Sequence, residues 1–273
     1  MRLRRPKGCP ESSEKESNVA DFVAPKRAGL RGEQVVVATA EEAAGALADR
    51  LVRHLKQRLD VAPKVHLALS GGSSGALLCD ALANRLELTM PEWLRIHVWM
   101  VDERCVPHDD RRLNFGLIRD RLAARVPVPS ANLHPMPVLE ARGDLTYERD
   151  LVAALAPPPH EGALDVAVLG MGPDGHTASL FPGSPALDEK TRRIVINDGT
   201  TVTPPRPRMT MTYPTLNSAR LIAVLVTGAS KQAAVARLAS GASDLHALPI
   251  AGIVPGKGSE MVWYLDKEAS PNG

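Results

Sequence analysis

Short apolar runs of strand length alternate along this chain with longer Ala- and Leu-rich stretches of helical length. The run Gln34–Ala38 is β-branched and predicts a first strand, and the stretch from Glu41 to about Leu59 predicts a helix. Thr39 is placed to cap that helix, with Glu41 and Glu42 near the positive end of its dipole. Strand Val65–Leu69 leads to a helix from Ser74 to about Glu87, and strand Ile96–Val101 to a helix near Arg111–Ala124. A shorter strand near Leu133 and a helix over Asp144–Leu155 bring the chain to the apolar run Leu164–Leu169. Beyond it the pattern predicts strands at Ile194–Ile196, Met209–Tyr213 and Leu221–Thr227, a helix from about Ala229 to Ser240, and a closing strand at Met261–Leu265. Regular alternation of this kind predicts an α/β fold, a mainly parallel sheet with helices on both faces.

Pro157–Pro159 reads as a rigid connector and not as a boundary, so residues 33–273 are expected to form one domain. Met1–Gly32 is a different kind of sequence, charged and Ser-rich without an apolar period. It lacks the apolar core of a secretory signal, and Glu11, Glu14 and Glu16 argue against a transit peptide. It reads as a mostly disordered tail that carries no chemistry.

At 273 residues the chain can bury a substantial core. No apolar run approaches bilayer-spanning length, so a soluble, cytoplasmic protein without a membrane partner is expected. The net charge of +2 does not suggest a nucleic-acid partner. Cys9, Cys79 and Cys105 are far apart, odd in number and without metal spacing, which points to a reducing compartment.

Four predicted strand ends carry polar residues, and neighbouring parallel strands present their carboxyl ends side by side. After Leu69 the chain reads Ser70-Gly71-Gly72-Ser73-Ser74 into a helix. Glycines let backbone N–H groups approach an anion and the helix N-terminus favours it, so phosphate fits; a tight turn with a serine cap fits equally. The second end is Asp102-Glu103-Arg104. Arg104 suits a bidentate clamp on phosphate or carboxylate, or pairing with its acidic neighbours. Asn114 either faces the same cleft or is a surface polar residue.

The third end is the most informative, the stretch LDVAVLGMGPDGHTASLFPG over Leu164–Gly183. Gly170, Gly172 and Gly175 spell GxGxxG, but a dinucleotide site also wants a crossover helix and an acidic residue about twenty residues on. Here Pro173 and Pro182 leave too short a segment, and Asp198 comes late. The turn instead holds Asp174 and His176. An imidazole can take a proton from water, and a carboxylate beside it can orient it or bind a substrate hydroxyl. The fourth end combines Arg208 with Val226-Thr227-Gly228-Ala229-Ser230-Lys231. A lysine at a helix start is disfavoured unless an anion neutralises it, so Lys231 marks a phosphate, or is solvated. No cysteine sits beside a histidine and no HExxH or CxxC pattern is present, so neither a covalent nucleophile nor a metal is evident.

Together these segments resemble the 6-phosphogluconolactonase family, over about Gln34 to Asp266. The most specific piece is GMGPDGHTASLFPG at Gly170–Gly183, supported by LSGGSS, VDERCVP with Asn114 downstream, RMTMT at Arg208–Thr212 and VTGASK ending at Lys231. The resemblance implies a three-layer α/β/α fold shared with glucosamine-6-phosphate isomerases and deaminases. It implies hydrolysis of 6-phospho-D-glucono-1,5-lactone to 6-phospho-D-gluconate in the oxidative pentose phosphate pathway, without metal or organic cofactor. It makes His176 the base that activates water, with Asp174 supporting it. Arg104, Arg208 and Lys231 hold the phosphate and the developing oxyanion, and Ser70, Gly71, Gly72, Ser73 and Asn114 contribute to binding. A glucose-6-phosphate dehydrogenase partner or fusion is left open. The glycine loop departs from the family where relatives often continue with Thr-Pro, and Leu113 stands where a serine is commoner.

Two other readings share the fold. A glucosamine-6-phosphate deaminase would need an acid after the His turn, where this chain has Thr177-Ala178-Ser179-Leu180-Phe181-Pro182. A non-catalytic sugar-phosphate sensor would keep the clamp without Asp174 and His176 in working form.

Overall fold

The computed structural model describes residues 30–198 and 207–271. The first half of the chain forms β1 (Glu33–Val37), α1 (Ala40–Val61), β2 (Val65–Leu69), α2 (Gly72–Ala83), α3 (Met90–Trp93), β3 (Ile96–Met100) and β4 (Asp102–Arg104). There follow α4 (Asn114–Ile118), β5 (Leu133–His134), α5 (Gly143–Leu155), β6 (Val166–Leu169), β7 (Ile194–Asn197) and β8 (Arg208–Met211). The chain closes with α6 (Tyr213–Leu216), β9 (Leu221–Val226), α7 (Gln232–Ala239) and β10 (Glu260–Asp266).

Seven strands form one parallel sheet in the order β1-β10-β9-β6-β2-β3-β5. Every residue of β2, β6 and β9 is buried. Nearly continuous apolar strands of this kind are what a sheet covered on both faces requires. Helix α1 shows how local sequence sets an element. Thr39 Oγ1 accepts from Glu42 N at 3.2 Å while Glu42 Oε2 accepts from Ala38 N at 2.9 Å, fixing the start. From there Ala43, Leu47, Leu51 and Leu55 recur on one face and are buried. Among the described residues no helix is long and apolar enough to cross a membrane.

The structure corrects the expectation for two strands. β7 and β8 do not join the parallel sheet; they form a separate antiparallel sheet with β4, in the order β4-β8-β7. Residues 198–207 are too short for the crossover that a parallel pair needs, whereas an antiparallel pair tolerates a short return. β4 itself, Asp102-Glu103-Arg104, has no apolar residue and gives no strand signal in sequence. The helix expected at Arg111–Ala124 starts later, at Asn114, and widens into a π-helical turn over Arg119–Ala123. Its start is set by the buried carboxylate of Glu103, which accepts from the backbone N–H of Asn114 and of Phe115, both at 2.8 Å.

Residues 1–29 of the expected tail, with Cys9, lie outside the described residues. Its last residues are packed onto the domain. Leu30 is buried, Arg31 Nη1 donates to Ala251 O at 2.8 Å, and Trp263 Nε1 donates to Arg31 O at 2.8 Å.

Candidate active site

The four polar strand ends belong to β9, β6, β2 and β3, which are consecutive in the sheet. At the end of β2, Ser70 N donates to Val168 O at 3.2 Å and the chain turns into α2. No side chain caps α2, so the N–H groups of its first turn are open to an anion. Gly72 sits at φ +79°, where a side chain would be strained. A β-carbon on Gly71 would lie 2.0 Å from Asn114 Oδ1, so only glycine lets the loop meet that side chain. Ser70 Oγ is buried without a hydrogen-bond partner among the described residues, and Ser74 Oγ lies 3.0 Å from Thr227 Oγ1 at the end of β9.

At the end of β3 the three charges separate in function. Glu103 accepts from three backbone N–H groups, of Arg104, Asn114 and Phe115, each at 2.8 Å. Burial pushes its carboxyl up, and those three donors oppose the shift. Asp102 is held by the hydroxyl of Ser179, which donates to Oδ2 at 2.6 Å, and its carbonyl accepts from Asn114 Nδ2 at 2.9 Å. Arg104 donates to the carbonyl of Arg112 and lines the cleft. Arg208 stands directly opposite Arg104 in the β4–β8 register. Burial, then the like charge of Arg104, lower its pKa, with Asp102 and Glu103 acting against them.

The turn after β6 is built around His176. Its Nδ1 lies 2.6 Å from Asp174 Oδ1, and its backbone N–H donates to the same oxygen at 3.2 Å. Gly172 N donates to His176 O at 2.8 Å and Gly175 N to Gly172 O at 3.0 Å, closing the loop on itself. Gly175, at φ +82°, passes under Leu248, and its carbonyl accepts from Ile250 N at 2.9 Å. Phe181 sets one side of the imidazole, with ring centroids 4.7 Å apart. A carboxylate only accepts, so in the neutral imidazole this contact puts the ring proton on Nδ1 and leaves the lone pair on Nε2.

After β9, Gly228 at φ +90° donates its N–H to both carboxylate oxygens of Asp266, at 3.0 and 2.9 Å. A single 3₁₀ turn, Ala229–Lys231, then delivers Lys231 immediately ahead of α7. Burial lowers the pKa of its ammonium, and the Asp174 carboxylate works in the opposite direction.

These elements enclose a cleft of about 160 Å³. Ser70, Gly71, Gly72, Ser73, Arg104, Asn114, His176 and Lys231, all expected from sequence, line it. Asp174 stands behind His176. Arg208 is not among the lining residues; its place is opposite Arg104, which lines the cleft. Sequence reasoning passed over Asp102, Ser74, Met171 and Ala178, which also line the cleft. Asp102 had a signal, a charge directly at a strand end; Met171 and Ala178 had none, since their part is played by position in the turn. Among the described residues no group of three or more His, Cys, Asp or Glu could hold a metal ion.

The α/β fold is that of a family of sugar-phosphate enzymes. Residues 38–263 match the model for the glucosamine-6-phosphate isomerases/6-phosphogluconolactonase, and the chain belongs to that family. It is 39% identical over 212 residues to the 6-phosphogluconolactonase of Synechocystis, covering 76% of this chain and 83% of that protein. It is 36% identical over 251 residues to the human GDH/6PGL endoplasmic bifunctional protein, covering 89% of this chain but only 31% of that protein. This chain thus spans less than a third of the human relative. The crystal structure of 6-phosphogluconolactonase from Thermotoga maritima is similar at a TM-score of 0.73 and 27% identity, covering 86% of this chain and 100% of that one.

Proposed function

We propose that this chain hydrolyses 6-phospho-D-glucono-1,5-lactone to 6-phospho-D-gluconate, a step of the oxidative pentose phosphate pathway, through water activated by His176 and without a metal. The observation that carries the mechanism is the 2.6 Å contact of His176 with Asp174, with His176 lining a cleft that Arg104, Lys231 and the uncapped start of α2 also line. The names of the Synechocystis and Thermotoga maritima relatives support the substrate.

In this reading Nε2 of His176 takes a proton from water as the oxygen attacks the lactone carbonyl. The tetrahedral oxyanion forms between the cations of the cleft. As it collapses, the ring C–O bond breaks, and the imidazolium returns the proton to the leaving oxygen, which stays in the product as a hydroxyl. Asp174 holds the imidazole in the required tautomer and steadies its charged form. Lys231, Arg104 and the glycine loop Ser70–Ser73 hold the phosphate and the oxyanion, with Arg208 reinforcing the field from behind Arg104. A lactone is an activated ester, so general-base help and oxyanion stabilisation, each worth roughly 10²–10³ in rate, suffice without an acyl-enzyme.

The human bifunctional relative supports a dehydrogenase partner or fused neighbour. Free Cys79 and Cys105 support a reducing, cytoplasmic setting. The test is hydrolysis of freshly generated phosphorylated lactone with a chelator present, beside unphosphorylated glucono-1,5-lactone. Turnover of the first and a much lower kcat/KM for the second is expected; equal rates would remove the phosphate from the account.

A further inference from the structure

A second cavity, of about 470 Å³, lies on the far side of α4 from the cleft. The two share one wall. Asn114 lines the cleft, while its neighbours Leu113 and Phe115 line the second cavity, where Glu103 also appears. The chain has three Trp, three Tyr and three Phe, and one of each, Trp99, Tyr147 and Phe115, lines this one space. Trp99 is stacked on His134, with centroids 3.7 Å apart at 7°, and meets Tyr147 edge-on at 5.5 Å. The Tyr147 hydroxyl is already satisfied, donating to His134 O at 3.1 Å and accepting from Met100 N at 2.8 Å. The wall is therefore largely aromatic and apolar, with the Tyr147 hydroxyl spent.

Charge distinguishes the rim. Glu103, Glu140 and Asp150 line the cavity against a single arginine, Arg119. Arg119 is paired with Asp120 at 2.7 Å, Asp150 with Arg149 at 2.8 Å, and Glu103 is filled by backbone N–H groups. Glu140 alone of the lining carboxylates has no ion-pair or side-chain hydrogen-bond partner among the described residues. His134, lowered to about 4 by burial and then by His97, is neutral at ordinary pH and does not offset that charge.

We propose that this cavity is a second ligand site, separate from the sugar-phosphate cleft, for a planar aromatic cation: its ring lies against Phe115 and His134, with the buried Trp99 and Tyr147 behind them, and its charge against Glu140. An anion such as a sugar phosphate would meet three carboxylates here against one arginine. An aromatic wall with a negative rim selects flat cations by stacking and charge together.

The test uses benzamidine as the probe, with the isosteric neutral benzamide and anionic benzoate beside it. Trp99 is the one tryptophan that lines the cavity, so quenching of intrinsic fluorescence reports occupancy. Benzamidine is expected to quench saturably, with affinity on the order of millimolar for so small a probe, and benzoate to bind more weakly than benzamide. Thr146→Phe, which fills the cavity from α5, is expected to abolish saturation. Glu140→Gln, at an exposed position that leaves packing intact, is expected to weaken benzamidine about two- to fivefold, as for a single solvent-accessible ion pair, and to leave benzamide unchanged. No saturable quenching, saturation retained in Thr146→Phe with its thermal midpoint unchanged, or equal binding of benzoate would each overturn the proposal. No turnover is measured, so the result is independent of the lactonase reading.

Discussion

His176 occupies the space that a side chain on Gly172 would need: a β-carbon there would lie 2.1 Å from Nδ1 and 2.6 Å from Asp174 Oδ1. The pair is thus set by the absence of an atom. Gly172→Ala is expected to keep the fold, because the clash is confined to an edge turn, and to push the imidazole off its carboxylate. A misplacement of about 1 Å costs on the order of 10² in rate. Lactone turnover measured beside far-UV circular dichroism checks this; full activity would show that the contact is not needed.

Lys231 and Arg208 are expected to behave differently. Lys231 lines the cleft, whereas Arg208 does not and stands opposite the lining residue Arg104. Charge-assisted hydrogen bonds contribute about 1.5–3 kcal/mol, so Lys231→Ala is expected to weaken 6-phosphogluconate roughly ten- to hundredfold. Arg208→Ala is expected to weaken it less. Calorimetric titration of the product against both variants gives the order, and a larger loss for Arg208 would place that side chain in direct contact.

A buried histidine row predicts acid sensitivity. His66 lies 5.2 Å from His97 and 4.6 Å from His160 by ring centroid, and His97 Nδ1 meets His134 Nε2 at 3.0 Å. Burial first, then mutual repulsion, lower His66 to about 3 and His134 to about 4; His97 falls to about 4 through burial, then the charges of Lys64 and His160. The unfolded chain protonates these groups below about 6.5, and the folded one does not until about 4 or lower. Stability is therefore full above pH 6.5 and lost progressively as pH falls toward 4. Urea midpoints between pH 7 and 4.5 are expected to drop, and to drop less in His97→Gln. A flat profile would show the row to be solvated.

The hydroxyl of Ser179 ties the His176 turn to β4 through Asp102 Oδ2, 2.6 Å away, and Asn197 Nδ2 donates to Ser179 O at 2.8 Å. Ser179→Ala leaves a buried carboxylate short of a donor, at a cost of about 1–3 kcal/mol. A lowered thermal midpoint with turnover reduced less than in Gly172→Ala is the expected result; an unchanged midpoint would remove this link.

The parallel sheet was legible because β6 and β9 are uninterrupted apolar runs and β2 is broken only by His66, each followed within two residues by glycine, and such runs have few alternatives. That the four polar ends belong to consecutive strands follows from topology, which no local signal carries, yet it is what joins Ser73, Arg104, His176 and Lys231. The antiparallel sheet was hidden because β4 is Asp-Glu-Arg, charged residues that become buried only through partners remote in sequence, Ser179 and the α4 backbone. Arg208 was visible as a cation near the site, but its register opposite Arg104 depends on that same hidden sheet. The second cavity left no motif, since its aromatic residues come from β3, α4 and α5.

The central claim is that His176 activates water in this cleft. It is tested most directly by the rate of 6-phosphogluconolactone hydrolysis in His176→Ala, with the uncatalysed rate subtracted and 6-phosphogluconate affinity measured on the same sample. The account predicts a loss of at least about 10²-fold in kcat, the scale of general-base help, with product affinity nearly unchanged. Undiminished turnover in that variant would contradict it.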